Sequence, residues 1–208
     1  MKFFLAMAKG IDAVTALIGR IMWWLTLFMV LVGAYNVITR YAYGVIQTIF
    51  GDAVAERLSG NVYLELQTYS YDLVFLLGAA FVLHADGHVR VDIIYSTLRP
   101  RVKAIIDIIG TWAFLVPFAA MGIYFSHAYV AASWRAHEIS PNPGGLLRYP
   151  IKTVIVVAFA LLISQGISET IKNAAFLAGR KNSGSIHDVP ETPPGDGGPA
   201  SADHAGAA

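Results

Sequence analysis

His84-Ala85-Asp86-Gly87-His88-Val89-Arg90-Val91-Asp92 is a polar island between two long apolar runs, and the fold turns on what that island is. It holds the densest cluster of charge and histidine in the chain. Hydrophobic residues make up 56% of the 208 residues, only 14% are charged, and the mean hydropathy is positive. A soluble domain of this length has too little interior to hide so much apolar surface, so the bilayer is the expected solvent. The island then becomes a junction between two membrane spans.

On either side of it, residues 65–83 form the span before the junction and residues 108–130 the core of the span after it. The second of these belongs to a stretch free of Asp, Glu, Lys and Arg that runs on to Trp134. Pro117 inside that stretch predicts a kink. Residues 21–39 are 19 positions without a charge, about 28 Å of helix, enough for the hydrocarbon core. Residues 151–171 complete a set of four, with Pro150 suited to a first helical turn. The reading is an all-α integral membrane protein with four transmembrane helices, residues 21–171, plus interfacial amphipathic helices.

The remaining segments are short or polar. Residues 1–20 carry Lys2, Lys9, Asp12 and Arg20 among apolar residues, as in a retained interfacial helical lead-in. Residues 40–64 suit a short amphipathic or interfacial helix, and 91–98 another. Residues 182–208 contain no Lys or Arg and much Gly, Pro and Ala, which predicts a disordered tail. Ser140-Pro141-Asn142-Pro143-Gly144-Gly145 predicts a fixed turn.

Orientation follows from basic residues. Lys2, Lys9, Arg20, Arg90, Arg99, Arg101, Lys103, Lys172, Arg180 and Lys181 fall on one side, against Arg40, Arg57, Arg135, Arg148 and Lys152 on the other. Ten against five places both termini and the 84–92 junction in the cytoplasm and the proline-glycine turn outside.

Several function classes fall away. A net charge of +1 leaves no basic face for nucleic acid, and zero cysteines exclude disulfides, thiol catalysis and thiolate metal sites. No nucleophile elbow, phosphate loop or dinucleotide fingerprint lies in a suitable context, so no catalytic residue and no enzyme is expected. His84, Asp86 and His88 have a spacing that admits a metal on a tight turn. Gly87 argues against the helix that would align the two histidines, and a solvated loop against anionic lipid or a subunit is preferred. No metal is assigned.

Intramembrane polar groups are expected to pair by depth. Asp72 and His127 match near the outer ends of spans 2 and 3, as a structural pair or as a proton relay. Arg20 matches Glu169 or Asp107 at the inner side, and Arg40 matches Glu65 at the outer. These pairings use up most of the intramembrane charge and leave little for a translocation path. A heme-carrying redox bundle is the rival reading, but His84 and His127 fall at opposite membrane faces and cannot share one heme.

The run Leu77-Gly78-Ala79-Ala80, followed by Asp86-Gly87-His88-Val89-Arg90-Val91-Asp92, resembles the signature of the small membrane subunit of TRAP (tripartite ATP-independent periplasmic) transporters, the DctQ type. Arg40-Tyr41, Gly44, Glu65 and Ser133-Trp134 are similar to that family in order. The segment 140–145, Pro150-Ile151-Lys152 and Gln165-Gly166 resemble its longer-loop subgroup, associated with mannitol, chloroaromatic or α-keto acid systems. The likeness covers about residues 15–178.

The resemblance implies a heteromer in a bacterial inner membrane: this small subunit, a large DctM-type permease that holds the substrate and sodium sites, and a periplasmic binding protein. It implies a scaffold with no cofactor of its own, sodium being the coupling ion of the partner. His88, Arg90, Asp92, Arg99 and Arg101 are then expected at a subunit interface or as topogenic residues. Pro141, Asn142, Pro143, Gly144 and Gly145 are expected to dock the binding protein.

Overall fold

The computed structural model describes residues 2–85 and 98–179, and every regular element among them is helical. In chain order these are α1 (Lys2–Tyr41), α2 (Tyr43–Phe50), α3 (Asp52–Leu58), α4 (Asn61–His84), α5 (Pro100–Gly110), a π-helical turn (Thr111–Leu115), α6 (Val116–Ala136) and α7 (Tyr149–Leu177). Four segments are long and apolar enough to cross a membrane: Phe3–Tyr41, Asp52–His84, Pro100–Ala136 and Tyr149–Leu177. The four-span helical architecture expected from the long apolar runs is therefore present.

The lead-in and the first span are one continuous helix of 40 residues, about 60 Å long. Lys9, Asp12 and Arg20 interrupt the apolar pattern without interrupting the backbone. Asp12 is satisfied by Ser168, Gln165 and Lys172 of α7, so a charged group sits on the packed face without breaking the helix. Glycines on α1 also permit close approach: a Cβ at Gly19 would lie 2.2 Å from the Phe81 ring, and one at Gly33 would lie 2.8 Å from the Gln67 amide. With Tyr35 edge-on to Tyr63, ring centroids 4.7 Å apart, and Arg40 bonded to Asn61, these contacts set α1 and α4 antiparallel in one register.

α7 is the hub. It packs on α1, α4, α5 and α6, whereas α6 rests chiefly on α7. On its α6 face the ring of Phe159 meets Phe118 edge-on at 5.9 Å and lies where a Cβ on Gly122 would stand. The kink expected at Pro117 takes the form of the π turn just before it. Proline removes one helical N–H and its ring crowds the preceding turn, and widening the helix over Thr111–Leu115 relieves this. Gly166 of α7 accommodates the widened turn, since a Cβ there would come within 3.0 Å of Leu115 and Thr111.

Residues 40–64 hold two short helices rather than one. They join at Gly51, whose φ of +84° suits a residue without a Cβ. α2 buries no side chain and leaves Val45, Ile49 and Phe50 exposed, as an interface-lying helix does. Pro100 opens α5 at its first turn, so the third spanning segment starts eight residues before the expected 108. Residues 86–97 and 180–208, and with them Asp86, His88, Arg90, Asp92, Arg180 and the tail, lie outside the described residues.

Candidate functional site

Polar side chains concentrate at the two ends of the bundle. At the end that carries the 137–148 loop, α6 stops at His137, whose φ of 45° is left-handed, and the Glu138 amide then donates to the Ser133 carbonyl at 3.1 Å. The chain returns through a short antiparallel bridge between Ile139 and Leu147, with Ser140 N–H bonded to Leu146 O at 3.0 Å. Gly144 takes a φ of +71°, and a Cβ on Gly145 would strike Ser140 at 2.4 Å. The proline-glycine segment is thus a fixed turn, and its two glycines are required by geometry.

Glu65 clamps this turn to α4. Its side chain is buried, and three donors converge on it: the Ser140 hydroxyl, the Asn142 amide at 2.8 Å and the Leu146 backbone N–H at 2.6 Å. Beside it, Glu138 accepts from Lys152 of α7 and from the Ser133 hydroxyl at 2.7 Å. The Lys152 ammonium and the Ser133 hydroxyl hold the Glu138 carboxyl below the ordinary carboxylate range. Trp134 donates its indole N–H to Thr153 at 2.8 Å, and Lys152 lies 4.0 Å over the Tyr129 ring. Pro141, Asn142, Pro143 and Gly144 remain exposed on the clamped turn.

At the opposite end, Gln165 of α7 is fully buried and ties three helices. Its oxygen accepts from Thr15 at 2.9 Å. Its nitrogen faces Asp12 at 3.0 Å, Glu169 at 3.0 Å and His84 Nδ1 at 3.3 Å. Ser168, also fully buried, donates to Asp12 at 2.7 Å. Asp12, His84 and Glu169 each bring a ligand atom within 4.8 Å of the others, a donor set that suits a cation. The cation that serves it is the Lys172 ammonium, 3.2 Å from Asp12 Oδ2 and 2.5 Å from Glu169 Oε1. The chemistry of the cluster is therefore that of an ion-paired tie between α1, α4 and α7.

The pairs expected from depth do not form. Asp72 and His127 do not pair: α4 packs on α1 and α7, α6 on α7, and His127 Nδ1 sits 2.6 Å from the Tyr124 carbonyl of its own helix. Arg20 does not reach Glu169, which is engaged by Gln165 and Lys172, while Arg20 is exposed. Arg40 bonds Asn36 and Asn61, both at 3.0 Å, instead of Glu65. Neutral amides supply the partners of Arg40 and the returning loop those of Glu65, and depth alone names neither. Arg99 is the residue before α5 and Arg101 lies in its first turn, both exposed. His84 turns to Asp12 and Gln165, and the other two members of the HxDxH spacing lie outside the described residues.

Four apolar helical spans, with polar groups spent on tying helices and one loop together, define a multi-pass membrane protein built as a braced bundle. Residues 29–176 match the family described as tripartite ATP-independent periplasmic transporters, DctQ component, and the chain belongs to that family. No curated protein and no solved structure matches it. The family is a transporter component and not an enzyme: DctQ is the small membrane subunit of TRAP systems, which works with a large DctM permease and a periplasmic binding protein.

Proposed function

We propose that the chain is the scaffold subunit of a sodium-coupled importer of organic acids: it braces the large permease and holds no complete substrate site itself. The observation that carries this is the use of polar groups. Glu65 and Glu138 are committed to the 138–148 loop, and Asp12, Glu169, His84, Gln165 and Lys172 to the tie between α1, α4 and α7, so these polar groups are engaged within the chain. A substrate or ion path needs polar groups free to exchange partners along its length. Sodium and substrate then belong to the partner permease.

In this reading both termini and the 84–92 junction face the cytoplasm of a bacterial inner membrane. Residues 1–20 run on from the first span as a lead-in, and 182–208 form a cytoplasmic tail. Arg99 and Arg101, with His88, Arg90 and Asp92, hold the junction inside and against the permease. The clamped turn Pro141-Asn142-Pro143-Gly144-Gly145 faces the periplasm and meets the binding protein. The longer outer loop suits the subgroup associated with mannitol, chloroaromatic or α-keto acid substrates.

Co-purification from native membranes tests the reading. A large multi-pass protein from a neighbouring reading frame should accompany the tagged chain, and an absorption spectrum of the pair should lack a Soret band. A stable monomer without such a companion would overturn it, as would bound heme.

A further inference from the structure

A groove of about 670 Å³ opens between α1 and α4 on the membrane-facing surface. Gly19, Gly78 and Ala79 help to line it, with the rings of Trp23, Phe75 and Phe81. Its lining is almost wholly apolar, and Trp23 and Phe75 are 75% and 66% exposed. Along α1 it runs outward from the level of Gly19 to that of Thr26, about two helical turns.

Arg20 stands at the inner end of this groove, next to Gly19 and one turn before Trp23. It is exposed, and it has no ion pair or hydrogen bond among the described residues. Arg40 follows twenty residues later on the same helix, about 30 Å away, which is the thickness of a hydrocarbon core. The Arg20 guanidinium can therefore reach the inner headgroup layer on its flexible stem, while the groove beside it descends into the acyl region. A cation at headgroup level above an apolar channel is complementary to one kind of occupant: an anionic group carrying a hydrocarbon chain.

We propose that this groove is a binding site for an anionic phospholipid, with one acyl chain between α1 and α4 and the phosphate on Arg20. The exposed indole N–H of Trp23 lies one turn deeper, where it can donate to the ester carbonyls. An apolar helix of another protein would fill the groove but leave Arg20 uncompensated unless it also brought a carboxylate. The lipid satisfies both ends with one molecule. A membrane setting suffices for this site, which does not depend on the transporter reading.

The test uses the full-length chain in which Trp24, Trp112 and Trp134 are changed to Phe, so that Trp23 alone reports. Reconstituted vesicles contain either brominated phosphatidylglycerol or brominated phosphatidylcholine at the same mole fraction. Quenching of Trp23 should show a local enrichment of the anionic lipid of about fivefold, the worth of one basic side chain near an anionic surface. Arg20→Gln should abolish that preference while leaving quenching by phosphatidylcholine intact. Gly78→Leu should lower quenching by both lipids; a Cβ at Gly78 meets nothing within 4 Å, so the variant fills the groove without disturbing the helix pair. Equal quenching by the two lipids would overturn the proposal, as would a preference that survives Arg20→Gln. Shielding of Trp23 from both lipids in the complex with a large membrane partner would assign the groove to a protein helix instead.

Discussion

Changing Glu65 to Gln alters only one group of the clamp on the 138–148 loop, so its cost can be worked from the contacts. The carboxylate offers acceptors alone: one oxygen takes the Ser140 hydroxyl and the Asn142 amide, and the other takes the Leu146 N–H. Glutamine has a single acceptor oxygen, and its amide meets a donor in either orientation. In the better one the Leu146 N–H is stranded and the other two bonds become neutral rather than charge-assisted. A lost bond to a charged group costs about 1.5–3 kcal/mol, and weakening the other two brings the sum to about 3 kcal/mol. Because that cost falls on the loop and leaves the helix contacts alone, it should appear as local opening. About 3 kcal/mol is roughly a hundredfold in the opening equilibrium. Hydrogen exchange in detergent should then show peptides over 138–148 exchanging about a hundredfold faster in the variant, with α1 and α7 unchanged. Loop exchange within about threefold of the parent would refute the clamp. Loss of protection throughout the bundle would show that Glu65 holds the fold and not the loop.

Gln165→Leu removes the Thr15 bond and two donated bonds from the tie between α1, α4 and α7; at the modest worth of interhelical bonds in membranes it should cost about 2 kcal/mol, read as a lower midpoint in mixed-micelle unfolding. Gly122→Leu drives side-chain atoms into the Phe159 ring, already 2.6 Å from an added Cβ, and should cost about 1–3 kcal/mol, whereas Gly110→Ala, with open space, should not destabilise. Glu138 has its folded pKa depressed below the ordinary 4.5, so the stability it contributes is present above that value and lost as pH falls through the depressed one. Fluorescence of Trp134 as the single remaining tryptophan should therefore hold steady from pH 7 down past the ordinary carboxylate value and change only in stronger acid. Glu138→Gln should remove the acid transition.

Helix number and rough position were legible because an apolar run of span length with few or no charges fits little besides a membrane helix. The continuity of α1 was not, because Asp12 reads as a break to any count of charge. In the fold Asp12 is satisfied by Ser168 and Gln165, more than 150 positions away in sequence, and by Lys172. Depth gave Glu65 the wrong partner. It specifies one coordinate, while the rotation of each helix and the return path of the outer loop decide the contact. The hub residue Gln165 is neutral, so charge does not single it out; a buried Gln beside Gly166 in an otherwise apolar span was the available signal. The π turn before Pro117 was legible as a distortion, though its form depended on Gly166 leaving room across the interface.

Whether this chain supports transport without carrying the substrate can be decided by uptake into proteoliposomes. The large permease and the binding protein should import labelled substrate down a sodium gradient only when this chain is present, and this chain with the binding protein alone should import none. Uptake by this chain without the permease, or undiminished uptake by the permease without this chain, would contradict that division of labour.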